Sequence, residues 1–122
     1  MYSASISRSS SIPRPRPCNY VTITAEDAGD TEAVAAISNG HIVVVSLIYS
    51  NKGDGETTAS LKWGSGSTFM TVDLLHGSIT IHNFIGCEIQ GETNTALNVN
   101  LSDAGTVHVT IGYLIVAGPG AS

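Results

Sequence analysis

Four histidines are the side chains best suited to acid–base or metal chemistry: His41, His76, His82 and His108. None is paired with another in a spacing such as H-E-x-x-H, and none lies beside a cysteine or a pair of carboxylates. Catalysis requires a nucleophile, a base and a stabilising donor within reach of one another. His82 and His108 occupy polar positions of two predicted strands, where they are either neighbours across the sheet or exposed. We therefore predict no catalytic residues and no enzyme activity.

Two further segments have the composition of a site but not its pattern. The run at residues 64–67, GSGS, lacks the G-x-S-x-G pattern of a nucleophile elbow and the Lys and helix of a phosphate loop, which favours a flexible turn. Four acids lie close together and could supply oxygen ligands to calcium, but without the twelve-residue calcium loop a solvated turn is favoured. These acids are Glu26, Asp27, Asp30 and Glu32. We predict no metal site and no cofactor.

The apolar runs indicate in which cellular compartment the protein is expected, and the compartment in turn predicts the state of the cysteines. Residues 1–11 lack the apolar stretch of about 7–15 residues that a signal peptide needs. The longest apolar run, residues 42–49, is far shorter than the roughly 20 residues that span a bilayer. We therefore expect a cytosol-like compartment and no membrane. There, Cys18 and Cys87 are expected as free thiols, although a disulfide between them is possible in principle. Their spacing fits no zinc pattern.

Charge divides the chain into two parts. Residues 1–19 contain Arg8, Arg14 and Arg16 and no acid, a net charge of +3; residues 20–122 contain two lysines and ten acids, a net charge of −8. An acidic body repels phosphate, so we do not expect nucleic acid as a partner. The arginines can contact phosphate or pair with carboxylates of a neighbouring protein. The protein partner is favoured, because basic tails that bind nucleic acid carry denser runs of charge.

Residues 1–19 are predicted to form an extended N-terminal arm separate from the folded body. The segment is rich in serine and then alternates proline with arginine, which favours polyproline conformation and leaves few amides for a sheet. Fully extended, such an arm reaches roughly 60 Å at about 3.3 Å per residue, enough to cross a neighbouring subunit. The residues predicted to bind a partner are Arg8, Ile12, Pro13, Arg14, Pro15, Arg16 and Pro17.

Residues 20–122 are predicted to form one all-β domain, an antiparallel β-sandwich resembling a jelly roll. Charged residues make up 12% of the chain, against roughly 25% in a typical domain. About eight runs of alternating apolar and polar residues recur at intervals of roughly 8–12 residues with turn signals between them. Residues 31–37 fit either a helical turn or a weak strand. Residues 52–55, KGDG, carry the signals of a hairpin turn.

The alternation also predicts which side chains face the core. Residues 41–51 are apolar on both faces, Val43, Val45 and Leu47 on one and Ile42, Val44 and Ile48 on the other, so this strand should be central or covered. Other inward positions are predicted on four strands: Val21 and Ile23; Ala59, Leu61 and Trp63; Ile79 and Ile81; and Val107, Val109, Ile111 and Tyr113. Trp63, Phe69 and Tyr113 are expected in the core and not on a sugar-binding platform.

The order of the predicted strands and turns from residue 41 onward is informative. An apolar strand ends in a polar turn (41–55), a strand carries inward Trp63 (57–63), a Ser/Thr-rich hairpin follows, and a Gly-bounded segment (86–95) leads to the paired run LNVNLSDAGTVHVTIGYLIV. Over residues 20–116 this order resembles that of small β-sandwich virion proteins of tailed bacteriophages, which serve as head decoration (cement) proteins or as collar, tail and fibre modules.

The resemblance implies a structural virion protein that assembles on a capsid or tail, often as a trimer, with arms that reach adjacent copies. We therefore expect a capsid decoration subunit located in the virion, with the major capsid protein or another virion protein as its partner. A tail, collar or fibre component is the alternative within the same class. A carbohydrate-binding module that uses exposed aromatics and loop acids is the alternative from another class.

Overall fold

The computed structural model describes residues 18–84 and 86–120, which form nine β-strands and no helix. Since that part of the chain has no helix, none there is long and apolar enough to cross a membrane. The strands are β1 (Asn19–Ala25), β2 (Gly29–Val34), β3 (Gly40–Asn51), β4 (Thr57–Trp63), β5 (Thr68–Leu74), β6 (Ile79–Asn83), β7 (Ile89–Gln90), β8 (Leu97–Leu101) and β9 (Val107–Ala117). The predicted arm residues, Arg8, Ile12 and those at 13–17, lie outside the described residues.

The strands form two antiparallel sheets packed face to face, which confirms the predicted sandwich. The first sheet has the order β1-β9-β3-β6, with β7 also pairing with β3, and the second has the order β2-β8-β4-β5. With the two-residue β7 set aside, the first long strand pairs with the eighth, the second with the seventh, the third with the sixth and the fourth with the fifth. This nesting of antiparallel pairs is the topology of a jelly roll.

The core lies between the sheets and consists of aliphatic side chains with two large aromatic ones. Trp63 is stacked on Phe69 with ring centroids 4.8 Å apart, and Tyr49 is fully buried. Val107, Val109 and Ile111 are also fully buried, and Tyr113 packs against this cluster. The inward positions predicted on β4 and β9 are therefore confirmed, as is the placement of Trp63, Phe69 and Tyr113 in or against the core.

A β-bulge in β3 changes which side chains of that strand face the core. Gly112 of β9 pairs with Ser46, but the next residue of β9 pairs with Val44, so Val45 is the extra residue. The bulge shifts the alternation by one residue. Leu47 consequently joins the buried side with Ile42 and Val44, whereas Ile48 faces out and is 39% exposed. The predicted grouping of Leu47 with Val43, and of Ile48 with Ile42, was wrong for this reason.

The register of β6 corrects the prediction for that strand. Ile81 pairs with outward Ile48, and Ile79 pairs with Ser50, so both isoleucines point away from the core. Ile79 is 63% exposed and Ile81 is 67% exposed. The prediction that they face inward was wrong, because it assigned the apolar residues of the strand to the core, whereas Thr80 and His82 occupy the inward positions.

Two local predictions are also settled. Of residues 31–37, the first four belong to strand β2 and the last three follow it without regular structure, so the segment forms no helical turn. The loop after β3 is not a hairpin, because β3 belongs to the first sheet and β4 to the second, so residues 52–56 cross from one sheet to the other. Its glycine and aspartate mark a turn correctly but do not determine which strands the turn joins.

Candidate protein-binding face

The outer face of the first sheet carries no charged side chain over its central part. Residues that pair across a sheet share a face, so the register of β1, β9, β3 and β6 identifies the outward positions. In chain order they are Tyr20, Thr22, Thr24, Ser46, Ile48, Ser50, Ile79, Ile81, Asn83, His108, Thr110 and Gly112. We refer to these residues as the uncharged face.

The outer face of the second sheet is different, because it carries Asp30, Glu32, Lys62 and Asp73. The Lys62 ammonium lies 3.3 Å from the Asp30 carboxylate. Asn100 donates a hydrogen bond of 2.7 Å to the same carboxylate, and this bond, together with Lys62, holds the pKa of Asp30 below its usual value. The charges of the strands are thus segregated on one sheet, and the other sheet has the composition of a surface that becomes covered.

Three isoleucines form an apolar patch on the uncharged face, which we call the isoleucine patch: Ile48, Ile79 and Ile81. Ile48 and Ile81 are directly opposite one another on β3 and β6. Cross-strand neighbours lie about 4.5–5.5 Å apart, so the three side chains form one continuous surface. Contiguous exposed apolar side chains of this kind mark sites of interaction with other molecules.

Four polar side chains of the uncharged face, on β1 and β9, already have hydrogen-bond partners within the face. The hydroxyls of Thr22 and Thr110 lie 2.9 Å apart, and the Thr24 hydroxyl lies 3.0 Å from Nδ1 of His108. Covering a hydroxyl without a partner is costly, whereas covering one that is already hydrogen-bonded costs much less. The face can therefore be buried against another protein without many new polar contacts.

Gly112 keeps one end of the uncharged face flat. A β-carbon at this position would lie 2.9 Å from Cε1 of Tyr20 and would also collide with the hydroxyl of Ser46. The Tyr20 ring therefore rests across the backbone of β9, where 68% of its surface remains exposed. An exposed tyrosine on a flat surface is a common contact residue in protein interfaces.

The histidines do not come together with one another. His41 is buried, and its two ring nitrogens each lie 3.0 Å from an oxygen, one of Gly118 and one of Gln90. His76 contacts the carbonyl of Gly53, and His108 contacts Thr24 as described above. His82 faces the inner side of β6, edge-on to the ring of Tyr49. The predicted possibility that His82 and His108 are neighbours was wrong, because they lie on opposite faces of the sheet.

The acids near the first turn also separate. Asp30 and Glu32 lie on the outer face of the second sheet, and Glu26 lies in a loop at one end of the sandwich. Within residues 18–84 and 86–120, no three His, Cys, Asp or Glu side chains are grouped so that they could hold a metal ion. No disulfide joins Cys18 to Cys87.

An open cleft of about 470 Å³ lies among the loops at this end, lined by Glu26, Lys52, Asp54, Thr106 and small residues between them. The buried Asn51 side chain organises its floor. Its amide donates to the carbonyls of Gly55 and Leu74 at 2.9 and 3.1 Å, and its oxygen accepts from the amide of Gly53 at 3.0 Å. The residues that line the cleft include no aromatic side chain that could stack on a sugar ring.

Sequence reasoning placed the three isoleucines in the core and so missed the candidate face. A usable signal existed in the chain, because the members of the uncharged face on β1, β3 and β9 are only Tyr, Thr, Ser, Ile, His and Gly, whereas the outer face of the second sheet contains acids and a lysine. The predicted partner-binding residues of the arm (Arg8, Ile12 and residues 13–17) lie outside the described residues.

No protein-family model and no curated protein matches the chain. A solved structure described as the crystal structure of PirA is similar over 84% of this chain and 99% of that chain, with a TM-score of 0.46 and 18% sequence identity.

Proposed function

We propose that this chain is a non-catalytic structural subunit that binds other protein chains through the uncharged face, and that it decorates the capsid of a tailed bacteriophage. The supporting observation is the isoleucine patch on a face without charges. The jelly roll serves viral capsid proteins and lectins alike, so the fold alone does not choose between them. The virion and the major capsid protein enter the proposal from the resemblance in the order of strands and turns.

The isoleucine patch is large enough to contribute measurably to binding. Fully burying an isoleucine contributes about 1.5–3 kcal/mol, so covering two that are about two-thirds exposed contributes about 2–4 kcal/mol in total. Because about 1.4 kcal/mol corresponds to a tenfold change, losing both side chains should weaken binding by about 30- to 700-fold. The cost to folding should be small, since both side chains are already largely in water.

The test is cosedimentation with empty capsid shells of the wild type and the double variant Ile79→Ser, Ile81→Ser. Ile115→Ser is the matched control, because Ile115 is 51% exposed and lies on the same sheet but pairs with inward Ile42. We expect the wild type and the control to bind in a fixed ratio to the shell and the double variant to bind weakly. Unchanged binding of the double variant would contradict the assignment of the face.

Two other outcomes would replace the capsid proposal. Binding to tails or fibres but not to shells would indicate the tail, collar or fibre component. Binding of the isolated protein to glycans, lost on changing Glu26 or Asp54 to alanine, would indicate a carbohydrate-binding module, since these are the acids of the loop cleft.

A further inference from the structure

Strand β6 is an edge strand of the first sheet, and one side of its backbone pairs with no other strand of the described residues. The hydrogen bonds that close the two ends of its pairing with β3 run from Asn51 N to Ser78 O (3.0 Å) and from Phe84 N to Val45 O (2.8 Å). In an antiparallel ladder every second residue points its N–H and C=O at the partner strand and the others point away. Ile79 and Ile81 are therefore the residues whose amides and carbonyls face the open side, where the described residues place no further strand.

This edge lacks the features that normally prevent another strand from adding. Exposed edges are usually protected by charges, prolines or bulges. Edge strand β2 carries two acids and a bulge at Ala33, and β5 carries Asp73 and a bulge at Phe69. Edge strand β1 is uncharged but shows mainly threonines on its outer face. Strand β6, with the sequence ITIHN, has no charge, no proline and two exposed isoleucines beside its open backbone.

One segment of the same chain has the pattern of a strand that would fit this edge. Residues 2–7, YSASIS, alternate strictly, with Tyr2, Ala4 and Ile6 on one side and serines on the other. Strict alternation is the pattern of a strand with one covered face. Added beside β6, the apolar side chains would extend the isoleucine patch, and the serines would fall on the inner side. There, Nε2 of His82 is buried and has no hydrogen-bond partner among the described residues.

The geometry favours a second copy over the same copy as the source of this segment. Asn19 is opposite Tyr113, at the level where β6 ends, and about 14 Å of sheet separates β1 from β6. Residues 13–17 contain three prolines, and the polyproline conformation that such a sequence favours would carry the chain about 15 Å beyond β1. Returning from there to the same β6 spans roughly 20 Å, the full extended length of the links between residues 13 and 7. A neighbouring copy requires no such reversal.

We propose that residues 2–7 of one copy add as a strand to the open edge of β6 in a second copy, with Tyr2, Ala4 and Ile6 beside Ile79 and Ile81 on the same face. This inference rests on the proposed function, because the added strand extends the uncharged face through which the subunit is proposed to bind. Strand addition supplies backbone hydrogen bonds for affinity and alternate side-chain contacts for specificity. The contact also joins two different surfaces of neighbouring copies, and such head-to-tail contacts form a closed ring when the rotation between copies allows it.

Disulfide trapping tests the contact directly. In a background with Cys18→Ser and Cys87→Ser, a tagged Ala4→Cys protein is mixed with an untagged Ile81→Cys protein under mild oxidation. The matched control replaces Ile81→Cys with Thr22→Cys, which lies on the outer face of the opposite edge strand. We expect the mixed Ala4→Cys and Ile81→Cys disulfide to form at least about tenfold faster than the control, because docking raises the effective concentration. Equal rates would overturn the inference.

The source of the arm is tested with both cysteines in one chain. The Ala4→Cys, Ile81→Cys double variant should form disulfides between chains, whereas formation only within a chain on dilution would overturn the assignment to a second copy. The mass in solution supplies an independent measurement: deletion of residues 1–7, or Ile81→Pro, should convert the oligomer to a monomer. Ile81→Thr, which keeps the outward N–H, should weaken the oligomer less. A monomeric wild type would overturn the inference.

Shell binding is measured separately on the same proteins, so the two proposals can fail independently. Cross-linking and self-association without shell binding would contradict the capsid proposal and support the strand addition. Shell binding by a wild type that neither cross-links nor self-associates would contradict the strand addition and support the capsid proposal.

Discussion

Asn51 at the end of β3 is the buried polar residue on which the geometry of both β6 and the loop cleft depends. Its side chain makes three hydrogen bonds, and its backbone N–H and C=O bind the Ser78 carbonyl and the Gly77 amide. The side chain is fully buried. We predict that Asn51→Asp destabilises the fold strongly, because it replaces two donated hydrogen bonds with a carboxylate that faces two carbonyl oxygens at 2.9 and 3.1 Å.

The magnitude follows from the bonds that are lost. Each buried group left without its partner costs about 1–3 kcal/mol, so with two carbonyls left unpaired we expect Asn51→Asp to lower the free energy of unfolding by about 2–6 kcal/mol at pH 7. Burial beside carbonyls raises the pKa of the introduced carboxyl in the folded state. The penalty is therefore complete above that raised pKa and shrinks as the pH falls through it towards the unfolded value of about 3.9. A neutral acid regains one of the two donors.

Urea unfolding of the variant and the wild type, followed by the fluorescence of Trp63 from pH 4 to pH 8, measures this difference. Trp63 is the single tryptophan and is 5% exposed, so its emission reports the core. Asn19→Asp is the control, because Asn19 is exposed at the start of β1. The reasoning is refuted if Asn51→Asp costs no more than the control, or if its penalty does not change with pH.

Two further predictions concern the packing and the charged sheet. A β-carbon at Gly91 would lie 2.8 and 2.9 Å from ring carbons of Trp63, so Gly91→Ala should lower the free energy of unfolding by about 1–3 kcal/mol. Gly105→Ala, whose nearest contact is an ordinary 4.0 Å, should be close to neutral in the same urea titration; equal effects would contradict the packing argument. Asp30→Asn should lower the free energy of unfolding by at most about 1 kcal/mol at neutral pH, because Asp30 is partly exposed. The interactions that lower the pKa of Asp30 stabilise the fold only while its carboxylate is ionised. The difference in unfolding free energy between Asp30→Asn and the wild type should be complete above pH 3.8 and should disappear as the pH falls below that value. If the difference persists in acid, the ionised carboxylate that accepts the hydrogen bond from Asn100 is not its source.

Most of the architecture could be predicted from the sequence, because alternation and turn residues are local properties. The alternating runs around Leu61 and Val109 each became a strand with the expected side buried, and in the run around Val21 the expected side is half-buried. The bulge at Val45 could not be predicted, because it is defined by how β3 meets β9 and leaves no mark in a run of β-branched residues. Within β3, the faces assigned to Leu47 and Ile48 were displaced with it.

The candidate face was missed for a second physical reason. Apolar side chains such as Ile79 and Ile81 are normally assigned to the core of their own domain, yet the same chemistry serves an interface between chains. A strand pattern shows that one side is to be covered, but not what covers it. Only the packing of the two sheets shows that the core is already complete without these side chains.

The central place of β9 in the first sheet has a consequence for how the protein folds. Strand β9 lies between β1 and β3, although more than half of the described chain separates it from either strand. Until β9 is in place, β1 and β3 each expose an unpaired edge and an apolar side. Domains built from such distant pairings fold in milliseconds to seconds, and not in microseconds. During synthesis, the early strands must therefore wait for their partner, and this interval is when the chain is most exposed to aggregation.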